Sequence, residues 1–108
     1  MKQWEIWTWN FPKAGGHPAV IVSNSGMVNL GDHVNVLLCS SQRASRRAHA
    51  NEVLLDESDG LDWPTLCKCE TLYHAPKNEL RARRGEVVEV RQSAIVQRII
   101  AAFGWRLY

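Results

Sequence analysis

Gly15-Gly16-His17-Pro18-Ala19-Val20-Ile21-Val22-Ser23 is the stretch whose reading decides the fold. A glycine pair runs through histidine and proline into residues that are apolar at odd and even positions alike. Such a run predicts a strand buried on both faces, hence a central one, over Pro18 to Ser23. Proline is tolerated as a strand's first residue because it need not donate to the ladder there. A second apolar run, Val34 to Ser40, ends in Ser40-Ser41-Gln42-Arg43. Strand ends that carry His, Ser and Arg beside a fixed core are suited to chemistry, because the core holds the backbone that aims them.

The pattern continues outward. Gln3 to Trp9 predicts a strand with Trp4, Ile6 and Thr8 on one face and Glu5, Trp7 and Trp9 on the other. Asn10 to His17 reads as a loop on its Pro and Gly residues, and so does Asn24 to Asp32. Glu52 to Asp56 predicts a strand, and Thr65 to Tyr73 a longer one that puts Thr65, Cys67, Cys69, Thr71 and Tyr73 on one face. Leu80 to Arg84 has no decisive pattern, and Glu86 to Val88 reads as a short strand or the approach to a helix. Ser93 to Phe103 predicts a helix whose stripe of Ile95, Val96, Ile99, Ile100 and Phe103 belongs to the core, ended by Gly104. Five or six strands and one closing helix predict a mainly β chain with a C-terminal helix, a small antiparallel β-barrel forming a single domain over residues 1–108.

Composition narrows the function classes. The net charge of +2 makes the overall field weak, but Arg43, Arg46, Arg47 and His49 form one local basic cluster, and Arg81, Arg83 and Arg84 another. Local basic clusters on a nearly neutral protein suit a local polyanion site, and equally a solvated loop. An odd count of three cysteines and no secretory segment predict a reducing, cytoplasmic setting with buried thiols. Cys67 and Cys69 lack the paired Cys-x-x-Cys spacing of a zinc site, so no metal or other cofactor is expected. No apolar run approaches the ~20 residues that span a bilayer, so no membrane partner is expected.

On these residues the chain resembles the MazF/PemK toxins of type II toxin–antitoxin systems. Trp4-Glu5-Ile6-Trp7 matches that family's first strand, and Gly16-His17-Pro18-Ala19-Val20-Ile21-Val22-Ser23 its Gly-x-Arg-Pro-apolar-Ser strand. Val36-Leu37-Leu38-Cys39-Ser40-Ser41-Gln42 matches the strand that ends in a hydroxyl residue. Gly60-Leu61 before a strand and the closing helix also match. The resemblance implies an SH3-like barrel, a homodimer, and a cytoplasmic, metal-independent endoribonuclease for single-stranded RNA. It implies attack by the substrate's 2′-hydroxyl, 2′,3′-cyclic phosphate and 5′-hydroxyl ends, and a cognate antitoxin that blocks the RNA groove. His17 stands where the family carries its catalytic arginine and Ser40 where it carries threonine. Cys69-Glu70-Thr71-Leu72-Tyr73-His74 stands where an arginine-bearing segment is usual.

Carried onto this chain, the resemblance makes His17 and Ser40 the candidate catalytic residues. Ser41, Arg43, Arg46, Arg47, Glu70, Tyr73 and His74 become the candidate RNA contacts. The chemistry is consistent: histidine, with a reference pKa of ~6.5, serves as base or acid near neutrality, a serine hydroxyl donates to phosphate, and arginine supplies fixed positive charge. Plainer roles stay open for the same residues. His17 can cap a turn, Ser40 can bond its own backbone, and Tyr73 and His74 can pack at the rim. A non-catalytic binding module on the same barrel, aimed at RNA, an antitoxin or a protein such as gyrase, and a decayed toxin are the rival readings.

Overall fold

The central strands are buried from both sides, as their unbroken apolar runs require. In this computed structural model, which describes residues 1–41 and 47–106, β1 (Glu5–Phe11), β2 (Gly15–Ile21) and β3 (His33–Ser41) pair in succession, antiparallel. After β3 come β4 (Glu52–Leu55), β5 (Thr65–Lys68), β6 (Tyr73–Pro76) and β7 (Arg81–Glu86). The strands are ordered β4-β5-β3-β2-β1-β7, with β6 also on β3, and form a curled antiparallel half-barrel. A short helix α1 (Ser25–Leu30) links β2 to β3, and α2 (Glu89–Phe103) follows β7.

Period-two alternation divides the core into two layers. Ile6, Val20, Leu37, Cys39, Cys67 and Ile95 belong to one cluster, and Trp9, Phe11, Ala19, Ile21, Val36 and Leu38 to the other. The paired residues agree in face: Ile6 opposes Val20, Val36 opposes Tyr73, and Cys39 opposes Cys67. All three cysteines are buried and free, as core residues, and hydrogen bonding to Cys39 and Cys69, together with burial, pushes the Cys67 thiol up.

Several elements depart from the sequence expectation. The expected Asn10–His17 loop is nearly all strand, because Phe11 closes β1 opposite Gly15 and only residues 12–14 turn. Asn24–Asp32 contains α1 rather than loop alone: the Asn24 side chain accepts from the Met27 backbone N–H and Val28 docks in the second cluster. The expected Thr65–Tyr73 strand breaks at Cys69. The Cys69 N–H still bonds the Asn51 carbonyl in the β4–β5 register, after which the chain bends at Glu70 and re-enters as β6 with Tyr73 on the other cluster. Leu80–Arg84, unassigned by pattern, joins β7 against β1 through a register shift between Ile6 and Thr8, with Ala82 at φ 47°. The helix begins at Glu89 rather than Ser93, and its stripe is only partly core. Ile95 is fully buried and Ile99 packs against the first cluster, but Val96 and Phe103 are exposed.

One crossing fixes where α2 starts. The turn at Asp59 and Gly60 passes directly over Gly85 of β7, so close that a Cβ on Gly85 would lie 1.9 Å from the Asp59 carbonyl oxygen. Gly60 itself holds φ 92°, in the left-handed region. The buried Asp59 carboxylate accepts from the Val88 N–H at the foot of α2 and from Arg91 in its first turn. Arg91 also forks onto Asp56 at 2.8 and 3.1 Å, and these bonds hold the Asp56 carboxyl down at about 2.

Gly85→Ala is therefore expected to destabilise the fold by roughly 3 kcal/mol in chemical denaturation, because backbone, not a flexible side chain, blocks the new methyl. Gly16→Ala, with open space around it, is expected to change stability by less than about 0.5 kcal/mol. The depressed Asp56 predicts a pH effect as well. Its contribution is fully present above the unfolded-state pKa of ~3.9 and is lost as pH falls toward about 2. The denaturation midpoint should fall across that window, and Asp56→Asn should flatten the fall by on the order of 1 kcal/mol.

Candidate functional site

The β2–β3 register decides the mouth of the sheet. Ala19 opposes Leu38 and Ile21 opposes Val36; the paired stretch ends at Ala19–Leu38, and His17 and Ser40 each lie two residues beyond it, at the same end of the two strands. Alternation turns both toward the face of the second cluster, the side of Ala19, Ile21, Val36 and Leu38. On the other flank of β2, His17 directly opposes Trp9. Ser40 opposes Leu66 of β5. Both His17 and Ser40 are half-buried.

Among the described residues, the His17 ring has one nitrogen tied and one untied. Its Nε2 lies 3.1 Å from the Ala14 carbonyl oxygen, which can only accept, so Nε2 carries the hydrogen and donates. The Nδ1 then carries the ring's lone pair. The bond also holds the ring against the hairpin turn, where the Phe11 ring lies edge-on at 6.5 Å.

Aromatic rings pave the neighbouring face. Phe11 meets Tyr73 edge-to-face at 5.0 Å and Trp9 at 4.7 Å, and Trp9 meets Tyr73 at 6.3 Å. Glu79, just before β7, accepts from the Trp9 indole N–H at 2.9 Å and so fixes that ring. Periodicity alone did not flag Phe11, Trp9 or Glu79 as one group, because Phe11 sits at a turn and Glu79 is remote in sequence. Trp7 lies alongside, its indole N–H donating to Glu5. Burial pushes the Glu5 carboxyl up, but bonds from Trp7, Arg83 and the Lys2 N–H outweigh it and hold the group below its ordinary value.

The other sequence-predicted residues spread over the sheet. Tyr73 joins the aromatic face. Ser41 opposes Thr65 and alternation turns it away from Ser40. Glu70 is exposed in the bend between β5 and β6, and Arg47 is exposed before β4. His74 opposes Asn35 near the start of β3, at the far end of that strand from Ser40. There it stacks on His33 with ring centroids 4.6 Å apart. Arg43 and Arg46 lie outside the described residues. Among the described residues no group of three or more His, Cys, Asp or Glu is arranged to hold a metal ion.

A family model for the PemK-like, MazF-like toxin of type II toxin–antitoxin systems matches residues 2–103. The chain belongs to that family. Solved structures agree in fold. An endoribonuclease in complex with its cognate antitoxin, from a mycobacterial species, is 20% identical with a TM-score of 0.84, over 100% of this chain and 99% of that one. The Mycobacterium tuberculosis toxin MazF-mt6 is 20% identical with a TM-score of 0.83, over 95% and 99%. A MazE–MazF structure from Deinococcus radiodurans is 15% identical with a TM-score of 0.77, over 98% and 97%. No curated protein matches the chain. Among the described residues no helix of this toxin-family chain is long and apolar enough to cross a membrane.

The Trp9–Glu79 bond gives the aromatic face a direct test. Glu79→Ala is expected to cost roughly 1–2 kcal/mol, because it orphans a buried indole N–H. Glu79→Gln, which keeps an acceptor, should recover most of that in the same denaturation measurement.

Proposed function

We propose that this chain is a toxin endoribonuclease that cuts single-stranded RNA without a metal and is neutralised by a cognate antitoxin. The observation that carries the reading is His17, with Nε2 tied to Ala14 and Nδ1 untied among the described residues, at the same end of the β2–β3 pair as Ser40. Membership of the PemK-like, MazF-like family supports it.

In this reading the RNA lies across the aromatic face with a phosphate between His17 and Ser40. His17 Nδ1 takes the proton of the 2′-hydroxyl, whose oxygen attacks the adjacent phosphorus. The Ser40 hydroxyl donates to a non-bridging oxygen as charge builds on it. The bond from phosphorus to the 5′ oxygen breaks, and that oxygen takes a proton from water. The products are a 2′,3′-cyclic phosphate and a 5′-hydroxyl. Tyr73 and the aromatic rings beside it offer stacking surface to the bases. Ser41, Arg43, Arg46, Arg47, Glu70 and His74 complete the proposed RNA contacts. The protein acts in the cytoplasm as one domain per chain and as a homodimer.

A second reading, a toxin-like module that binds RNA or an antitoxin without cutting, draws on a specific residue. His17 replaces the permanent cation that the family resemblance leads one to expect, and a neutral imidazole stabilises phosphorane charge less well than a guanidinium.

Cleavage of long single-stranded RNA in EDTA separates the two. Wild type should produce 2′,3′-cyclic phosphate ends, and His17→Ala and Ser40→Ala should each lose about 100-fold or more in rate. Folded wild type that leaves several RNAs intact rejects the enzyme in favour of the binder.

A further inference from the structure

Beside α1, away from the mouth, a pocket of about 620 Å³ opens between the helix and the stacked imidazoles of His33 and His74. The two rings stack face to face, parallel to within 6°, and both residues are exposed, so a further flat ring can extend the stack on an outer ring face. Met27 and Leu30, 47% and 90% exposed, line the same pocket from α1. Gly26 and Gly31 also line it and add no side chain to it. An outer ring face bordered by thin, apolar walls suits a flat ring.

The polar groups narrow the choice. Asp32 lines the pocket, and its carboxylate makes no hydrogen bond or ion pair with another described residue. A carboxylate only accepts, and its two oxygens match two adjacent N–H donors. Among the nucleobases guanine presents that pair, on N1 and the exocyclic N2; adenine, cytosine and uracil do not. An adjoining cleft shares Gly31, Asp32 and His33 and adds Lys77 and Asn78. The Lys77 ammonium is held over the end of α1 by the Val28 and Gly31 carbonyls, which leaves positive charge where a sugar-phosphate backbone leaving the pocket would pass.

We propose that this pocket binds a guanine base of single-stranded RNA, stacked on the His33–His74 pair and read by Asp32. The proposal deepens the ribonuclease reading and rests on it for the source of the guanine. His33 and Ser40 are separated along β3 by roughly 23 Å at about 3.3 Å per residue. The pocket is thus a distal subsite, reading a base several nucleotides from the cut. An aromatic ring face contributes affinity through stacking without taking part in the chemistry.

The test is an NMR titration of the full chain with 5′-GMP, AMP, CMP and UMP, and separately with N-acetyl-tryptophanamide as a protein side-chain probe. GMP should shift His33, His74, Gly26 and Met27 saturably and bind about tenfold more tightly than AMP. His33→Ala should weaken GMP about tenfold, His33→Phe should restore it, and Asp32→Asn should erase the preference over AMP. No saturable shift at these residues with any nucleotide overturns the proposal. So does an Asp32→Asn variant that keeps the GMP preference. Filling by N-acetyl-tryptophanamide with no response to GMP also overturns it and makes the pocket a protein-docking site. RNA cleavage is scored separately. Absent cleavage with these GMP shifts intact sinks the nuclease reading and leaves the guanine site standing. Cleavage with no nucleotide shift here does the reverse.

Discussion

The register between β2 and β3 is the constraint on which the rest of this molecule depends. Both strands are buried on both faces, so each residue belongs to one of two cores, Val20 and Leu37 to the first, Ile21 and Val36 to the second. A slip by one residue would exchange the two sets and put every side chain on the wrong side. The cost is high because each fully buried aliphatic side chain contributes about 1.5–3 kcal/mol. The same pairing brings His17 and Ser40 to one end of the two strands, two residues beyond its last pair. The candidate chemistry therefore inherits its geometry from packing that has nothing to do with RNA.

The far side of the sheet is organised by backbone proximity and charge. Gly85 allows the Asp59–Gly60 turn to lie on β7, and Asp59 then ties the Val88 N–H and Arg91 at the start of α2. With its first turn pinned there, α2 reaches the core through Ala94, Ile95 and Ile99. Beyond that point the helix leaves the sheet, and the Phe103 and Trp105 rings stack on each other at 4.7 Å in the open. Its apolar stripe is wider in the sequence than the face that packs: Ile95 and Ile99 meet the first cluster, whereas Val96, between them in the chain, is exposed.

The aromatic face shows the division of labour between rigid support and reactive groups. Trp9 is locked by Glu79, Phe11 by its contacts with Trp9 and Tyr73, and His17 by the Ala14 carbonyl. Each ring is held by a contact with another described residue. Such an arrangement suits a site that must hold a flexible polymer, because ordering was completed when the protein folded and not when the ligand arrives.

Much of this was legible in the chain. Continuous apolar runs at Pro18–Ser23 and Val34–Ser40 read as strands, the first as a central one because only strands covered on both sides tolerate such a run. Alternation assigned Trp4 and Ile6 to one face and Trp7 and Trp9 to the other, as the clusters confirm. The resemblance that these motifs carried leads to the family that the chain belongs to. Other features depended on partners distant in sequence. The Thr65–Tyr73 stretch splits because Tyr73 pairs with Val36 of β3, β7 forms because β1 offers an edge, and Val96 is exposed because it lies off the Ile95–Ile99 face that meets the first cluster. The His33–His74 stack joins residues that no local pattern connects. Local sequence determined which segments are strands and which faces are apolar, because those follow from periods of two and 3.6 residues. Only the tertiary structure decided which side chains meet, because that depends on the pairing and curl of the whole sheet.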